Sequence, residues 1–458
     1  MFEEAVEPKY KTLDVNDAVT LYEGELRLTW GGKRVDCAGS IRLAWSPFPR
    51  LTFEATIGVE GLEMELDPPF EVDIEAVSIG GKGHGEVRSV RINVVMNASL
   101  EHVISGPIFE EFLVGHPAAT EEIRFHVPNF PNYLGTAIEA RVDGGGTAKW
   151  RGRHHIDSAS WSIDLDAVNN SADWWGALSG EGGFGITHMC RVRRSDQKAV
   201  RDQDFEKIFW VLTALLSVMR SERTGPILAM GVHEGNIVWE RWWTPRIAPW
   251  FGLRSWMPHT LLVVRTEVNE MDLTKVVECL EEVFGDPGEK RAWERAIDWY
   301  TQSVQAEVSA TGIVLAQAGL ELAAWMRLVG DGVIPGDSFE KFNAADGLRI
   351  ALELADVDLE VPASLTELQA SAEQGRAGVE LDGPGAVVEM RNGTIHPKER
   401  QRLTGPIEVI QGRLLAIRYL ELLLLRRLAF SGQIRDRTNN FRPEAAPWDP
   451  EGVDGTST

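Results

Sequence analysis

The chain has little cysteine and no uninterrupted apolar run long enough to span a membrane. Its three cysteines, Cys37, Cys190 and Cys279, lie far apart and form no CxxC pair, so neither a disulfide framework nor a zinc knuckle is indicated. The longest uncharged, largely apolar stretches, 209–219 and 308–320, fall short of the roughly 18 to 20 residues that span a bilayer. The acidic first residues also lack the basic-then-apolar order of a secretory signal. We expect a soluble, cytoplasmic protein that has no membrane partner.

Positive charge is scarce overall but concentrated in one segment. The 46 Lys and Arg residues against 69 Asp and Glu residues give a net charge of -23, which argues against a surface that coats nucleic acid. Residues 391–437 nevertheless carry ten basic and four acidic side chains, so this segment is +6 and the remainder is -29. Such a patch could hold a polyanion at one place. The alternative is a solvated basic helix face that neighbouring acids neutralise.

The chain is long enough for several folding units, and its hydrophobic periodicity changes along its length. Alternating apolar and polar residues predict a β-rich domain over 1–195, either a sandwich or barrel-like. The strands are expected at 25–30, 41–45, 50–57, 87–95, 122–127, 134–142, 146–151 and 160–165.

A mixed connecting segment, 196–270, is predicted to begin with a helix over 205–219. It carries five tryptophans between Trp239 and Trp256. These rings either form a binding or sensing surface or pack the β domain onto the next one.

Helical spacing then continues over 271–437 and predicts a helical bundle, so the fold class is α+β multidomain. The helices are expected near 272–284, 289–309, 311–329, 338–355, 384–395 and 406–430. The polar tail, 438–458, is rich in Gly and Pro and is predicted to be disordered.

The segment that offers chemistry contains Arg391, Asn392 and His396. RNA cleavage without a metal needs a base for the ribose 2'-hydroxyl, an acid for the leaving 5'-oxygen and positive charge on the phosphate. Imidazole can serve as base or acid near neutral pH, and guanidinium binds phosphate oxygens in a two-pronged fork. Because Pro397 disfavours helical geometry at His396, the imidazole can leave the helical register and approach Arg391. One histidine is too few for both proton transfers, and a two-fold dimer would supply the second.

The Arg-Asn-Gly-Thr-Ile-His sequence, 391–396, resembles the RxxxxH signature of the HEPN family. The resemblance covers about 290–432, and the helix at 317–323 is similar to the long helix that packs against the motif in that family. A β-rich region before such a bundle further resembles the ApeA-like anti-phage proteins. The resemblance implies a homodimeric endoribonuclease that uses Arg391 and His396, with Asn392 in support, and needs no cofactor or metal.

Other candidate motifs are weaker. Arg254 and His259 repeat the Arg-to-His spacing but lack the helical setting. His154, His155 and Asp157 could ligate a metal, yet adjacent histidines in a strand point to opposite faces, which favours an ordinary hairpin surface. The Gly-rich stretch 180–185 lacks the Lys-Ser or Lys-Thr ending of a P-loop.

The leading hypothesis is therefore an RNase effector of anti-phage or toxin-type defence, whose N-terminal region senses a phage or host trigger protein. The alternative is a non-catalytic HEPN dimerisation or scaffold protein whose β domain and Trp-rich segment bind a protein partner. The two differ in the setting of Arg391 and His396. An open cleft across a two-fold interface favours catalysis, whereas burial by acids such as Glu389 and Glu399 favours a structural role.

Overall fold

The computed structural model describes residues 2–12, 14–58, 68–94, 100–133, 135–142, 145–169, 171–252, 254–257, 273–375, 379–395 and 405–449. The chain divides into two compact units. The first unit comprises Met1–Phe209 and Thr224–Gly252, and the second comprises Trp210–Arg223 and Leu253–Thr458.

The first unit is built on one large β-sheet with two helices in its sequence. Its strands are β1 (Glu3–Glu4), β2 (Val19–Trp30), β3 (Lys33–Ala44), β4 (Arg50–Gly58), β5 (Phe70–Ala76), β6 (Gly81–Val87), β7 (Ser89–Val94), β8 (Leu100–Gly115), β9 (Glu122–Pro128), β10 (Thr136–Val142), β11 (Gly146–Asp157), β12 (Trp161–Ala167), β13 (Ile186–Arg194), β14 (Ile227–His233) and β15 (Asn236–Trp242). The helices are α1 (Ser171–Glu181) and α2 (Asp202–Arg220), of which α2 continues into the second unit.

Six of these strands close into a barrel. They pair in the order β8-β4-β3-β2-β5-β6, and β6 pairs again with β8. Alternate residues fill the interior, as in β4, where Leu51, Phe53, Ala55 and Ile57 are all buried. Closure leaves no free edge at either end of this six-stranded path.

The sheet continues beyond the barrel as an open part. From β8 it runs through β15, β14, β9, β13, β12, β11 and β10 to β1. One face of this part carries a row of polar side chains, because His155 opposes Asp164 and Asp164 opposes Arg191 across neighbouring strands. The N-terminal segment crosses the same face, where the Val6 amide donates to Asp166 at 2.8 Å.

The second unit is mainly helical. Besides the end of α2 it contains α3 (Thr274–Gly285), α4 (Pro287–Gln305), α5 (Ser309–Trp325), α6 (Gly336–Phe339), α7 (Ala344–Glu353), α8 (Thr366–Gln374), α9 (Gly383–Ile395), α10 (Pro406–Arg427) and the hairpin of β16 (Gln433–Asp436) with β17 (Arg442–Ala445). A π-helical turn, Met326–Gly330, extends α5.

Helices α5 and α10 lie side by side at the centre of this unit and run in the same direction. Gly312 of α5 lies against Arg413 of α10. Seven residues later in both helices, Gly319 lies against Leu420, so the two helices are parallel. A Cβ atom at Gly319 would come within 2.6 Å of Leu420 Cδ2. Glycine is therefore needed for this close approach of the helices.

One helical stretch, Ser309–Gly330, is long and apolar enough to cross a membrane by length and composition. Its most apolar window is 56% buried inside the structure. Because α5 packs against α4, α9 and α10, this apolar character is that of a core helix in a soluble protein.

The α+β organisation predicted from the sequence is confirmed, with a β-rich first part that contains a barrel and a helical second part. The Trp-rich connecting segment differs from its prediction, since it contributes β14 and β15 to the large sheet. The tail also differs over its described residues. Arg442–Ala445 forms a strand paired with Gln433–Asp436 rather than disordered chain.

Candidate functional site

Helix α9 is fixed at its start and middle by close contacts. Asp382 Oδ1 accepts a hydrogen bond from the Gly385 amide at 2.8 Å, which caps the first turn, and Arg349 holds the same carboxylate. Further along, Met390 packs against Gly412 of α10. A Cβ atom at Gly412 would lie 3.1 Å from Met390 Cγ and 3.3 Å from Ile313 Cδ1 of α5. These contacts orient the next residue, Arg391.

Arg391 is half-buried and has little to neutralise it. Its Nη1 donates to Asn392 Oδ1 at 3.0 Å, and its Nε is buried without a hydrogen-bond partner in the part of the chain that the structure describes. Among the described residues, no carboxylate forms an ion pair with Arg391. Gly393, on the same helix, faces open space. A guanidinium in this setting can donate hydrogen bonds to the oxygens of an incoming anion.

The structure brings together only part of the predicted site. Arg391 and Asn392 are adjacent and hydrogen-bonded, and α9 extends to Ile395. His396 lies outside the described residues, as do Pro397 and Glu399, so the predicted pairing of Arg391 with His396 stays a prediction.

Four of the seven basic residues of 391–437 that the structure describes have acidic partners. Ion pairs join Arg418 to Glu444 and Asp436, Arg426 to Asp356, Arg427 to Glu289 and Asp331, and Arg437 to Glu421. Acids therefore neutralise these four arginines as expected, but Arg418 and Arg437 are buried and do not belong to a solvated face. Lys398, Arg400 and Arg402 lie outside the described residues.

A second pair of arginines was given no role in the sequence analysis. Arg413 donates to the backbone carbonyls of Ser303 and Val304 at the end of α4, and Arg254 donates to the same Val304 oxygen at 3.1 Å. Burial, together with the nearby positive charges of Arg254 and Arg437, lowers the pKa of Arg413. Cations at a helix C-terminus are stabilising, which explains the arrangement without a carboxylate. The density of arginine in the sequence was the only available signal.

The His-rich strand of the first unit is accounted for structurally. His155 Nδ1 contacts Asp164 at 2.6 Å and its Nε2 contacts Asp157 at 3.0 Å, so both ring nitrogens are occupied. Burial opposes protonation, but the bonds to these two carboxylates outweigh it and raise the pKa of His155. His154 is buried on the opposite face, as the alternation predicts. Among the described residues no group of three or more His, Cys, Asp or Glu could hold a metal ion.

The tryptophans of the connecting segment are mostly core residues. Trp239, Trp242 and Trp250 are buried in the first unit, and Trp256 is buried in the second. Trp242 stacks on Phe112 with ring centroids 5.1 Å apart. These four rings are therefore buried and do not form an exposed binding surface.

Comparison with known proteins gives matches to both units. Residues 115–253 match the YopA central domain, and residues 286–446 match the YopA C-terminal domain. No solved structure matches the chain. A relative from Bacillus subtilis (strain 168), the SPbeta prophage-derived uncharacterized protein YopA, is 25% identical over 438 residues. That alignment covers 94% of this chain and 94% of the relative, so the similarity to YopA extends over nearly the whole length of both.

Proposed function

We propose that this chain is a metal-independent endoribonuclease effector of the HEPN type, with Arg391 and His396 as catalytic residues and Asn392 in support. The observation that carries the proposal is the setting of Arg391. Its guanidinium is half-buried, its Nε has no hydrogen-bond partner, and no described carboxylate pairs with it. A buried donor and charge of this kind are costly when unmatched. An RNA phosphate would supply both the acceptor and the counter-charge.

The proposed reaction is an attack of the ribose 2'-oxygen on the adjacent phosphorus. One imidazole removes the 2'-hydroxyl proton, and a second imidazole gives a proton to the 5'-oxygen as its bond to phosphorus breaks. The products are a 2',3'-cyclic phosphate and a 5'-hydroxyl. The guanidinium of Arg391 stabilises the negative charge that builds up on the phosphate oxygens. Since the motif holds a single histidine, the second would come from another copy of the chain.

A homodimer through the helical unit is supported by exposed apolar side chains on either side of the 396–404 connection. Ile395 at the end of α9 is 39% exposed, and Ile407 and Ile410 at the start of α10 are 57% and 46% exposed. Ile407 and Ile410 are three residues apart and share one helix face. Burial of this face against a second copy would remove it from water.

The same apolar residues favour the second candidate, a non-catalytic dimerisation or scaffold module whose first unit binds a protein partner. Both candidates need the dimer. Only the RNase needs the unmatched guanidinium of Arg391, which is why we prefer it.

The proposed setting is cytoplasmic, in anti-phage or toxin-type defence, with the first unit sensing a phage or host trigger. The similarity to a prophage-derived protein supports a role in interactions between phage and host.

The test is cleavage of RNA in EDTA by the purified wild type, Arg391→Ala and His396→Ala, alongside cell growth after induction. We expect each substitution to lower the cleavage rate by about 100-fold or more, because each removes a charge or proton carrier of the transition state. Arg391→Lys should restore only part of the rate, since lysine keeps the charge but loses the fork.

The matched control is Arg426→Ala, which removes an exposed guanidinium of the same unit that is paired with Asp356. It should cleave RNA as the wild type does. If all of these variants behave alike with the trigger supplied, the scaffold function replaces the RNase.

A further inference from the structure

A cavity of about 340 Å³ lies on the outer wall of the barrel, in the first unit. Strands β3, β4 and β8 and the start of β7 contribute to it. Its polar lining includes Ser40, Arg42, Arg50, Thr52, Arg88 and Ser105. The volume is at the lower end of the range for small-molecule sites.

Strand register explains why the cations converge there. Ile41 and Leu51 are buried in the barrel interior, so their neighbours Arg42, Arg50 and Thr52 point outward. Arg42 directly opposes Thr52, and Arg50 stands two residues before Thr52 on the same face. The two arginines are therefore diagonal neighbours across β3 and β4, with Cα atoms about 7–8 Å apart.

The acidic residues near the cavity are already matched. Glu54, the one carboxylate in the lining, pairs with Arg91 at 2.9 Å. Glu86 pairs with Arg88. Within the described lining, these pairs leave no carboxylate to neutralise the other arginines.

Arg42 and Arg50 are the unmatched cations. Neither forms an ion pair with any residue in the described parts of the chain, and the Nε of Arg50 is buried without a hydrogen-bond partner. Buried donors almost always have an acceptor in folded proteins. The cavity therefore combines an excess of two positive charges with an unmet donor, on a chain whose net charge is -23.

We propose that this cavity binds the phosphate group of a nucleotide. Guanidinium groups and hydroxyls are the donors that phosphate oxygens need, and Arg42 and Arg50 can share one phosphate from two sides. Beside them, the ring of Phe48 is 59% exposed, and the Arg50 guanidinium carbon lies 5.4 Å from its centroid. An exposed ring next to a phosphate site offers a stacking surface for the base.

The test is titration calorimetry of the full chain with pyrophosphate, with ADP and with a 5'-phosphorylated oligonucleotide. We expect saturable binding of ADP that weakens as the salt concentration rises. Arg42→Gln and Arg50→Gln should each weaken binding of ADP and pyrophosphate by about tenfold or more, as the loss of a charged hydrogen bond does. Phe48→Ala should weaken ADP and leave pyrophosphate unchanged. Comparison of ADP with the oligonucleotide tells whether the phosphate belongs to a free nucleotide or to a strand end.

Arg34→Gln is the matched control, because it removes an exposed arginine of β3 that is not part of the cavity lining. It should bind the probes as the wild type does. If Arg50→Gln does not fold, Arg88→Gln replaces it as the cavity variant, because Arg88 also lines the cavity and is more exposed.

Equal affinities in the wild type and the cavity variants, or no binding of any probe at millimolar concentration, would overturn the proposal. An equal effect of Phe48→Ala on ADP and pyrophosphate would overturn the assignment to a nucleotide. Since the site does not involve Arg391 or His396, RNA cleavage can fail its own test independently.

Discussion

Two arginines of the helical unit are held in opposite ways. Arg437 is almost fully buried, and its Nε and Nη2 reach both oxygens of Glu421 at 2.8 to 3.0 Å. Tyr300 donates to the same carboxylate and also contacts Ser221. Arg391 is less buried, yet Asn392 is its only hydrogen-bond partner among the described residues. Burial of a guanidinium is thus a poor guide to function, and the missing carboxylate is the more informative feature.

The same distinction separates the arginines of the first unit. Arg153 is buried against Asp166, with two hydrogen bonds of 2.7 Å, and also contacts Glu3. Arg42 and Arg50 line a cavity and have no such partner among the residues that the structure describes. In each unit, therefore, one kind of arginine is matched within the fold and another is available for an external anion.

The substitution Glu421→Gln is the strongest test of this comparison between matched and unmatched arginines. The substitution keeps the shape but leaves Arg437 buried without its counter-charge. Burial opposes the charged form, and at present Glu421 more than offsets it and raises the pKa of Arg437. Removal of one partner of a buried pair typically costs about 3–5 kcal/mol. We expect a loss of that size in the free energy of unfolding of the second unit, measured by hydrogen exchange of the α10 amides.

Asp356→Asn is the control, because Asp356 pairs with Arg426 where both side chains are exposed. Exposed pairs contribute about 0–1 kcal/mol. If Glu421→Gln costs no more than this control, the buried network does not hold the unit together.

A buried histidine offers the same comparison between matched and unmatched charge. Without a carboxylate partner, its imidazole is neutral inside the fold, because burial disfavours the charged form. His188 is fully buried among Phe130, Tyr133 and Trp175, and burial lowers its pKa to about 3. The unfolded chain, with an ordinary pKa near 6.5, then binds the proton first. The stability is present above pH 6.5 and is lost as the pH falls towards 3, at about 1.4 kcal/mol per pH unit.

Urea unfolding of the first unit at several values between pH 7.5 and pH 4.5 measures this loss. The free energy of unfolding of His188→Gln should depend less steeply on pH than that of the wild type, and the difference should correspond to one proton. His126, whose pKa burial also lowers to about 3, stays in both proteins and contributes equally. Equal slopes would show that His188 is protonated inside the fold.

The secondary structure was largely predictable because its periodicity is local. The helix around Arg391 was expected at 384–395 and is observed at Gly383–Ile395. Strand β14, Ile227–His233, is buried at six of its seven residues, so it shows no alternation and was taken for part of a connecting segment. Strand β17 contains a proline and is short, and it forms because β16 is available to pair with it.

The candidate site was predictable only in part. The sequence supplied the residues of the motif and the helix that carries Arg391. Whether an arginine finds a carboxylate depends on side chains far away in sequence, as with Arg427 and Glu289 or Arg426 and Asp356. Closure of the barrel through β6 and β8 likewise depends on pairing between strands distant in sequence, and the cavity beside Arg42 is lined by residues from strands β3, β4 and β8.

The smallest expected effect on stability is the one most telling for function. Arg391→Met keeps a long side chain that can pack as the arginine stem does, and it removes a charge and a buried donor that nothing in the described fold satisfies. We expect the free energy of unfolding around α9 to change by about 1 kcal/mol or less, since the only described interaction that is lost is the hydrogen bond to Asn392. RNA cleavage by the same sample should disappear. A destabilisation as large as that of Glu421→Gln would mean that Arg391 is matched inside the fold after all. The reason to regard it as a phosphate ligand would then be gone, whatever the cleavage assay showed.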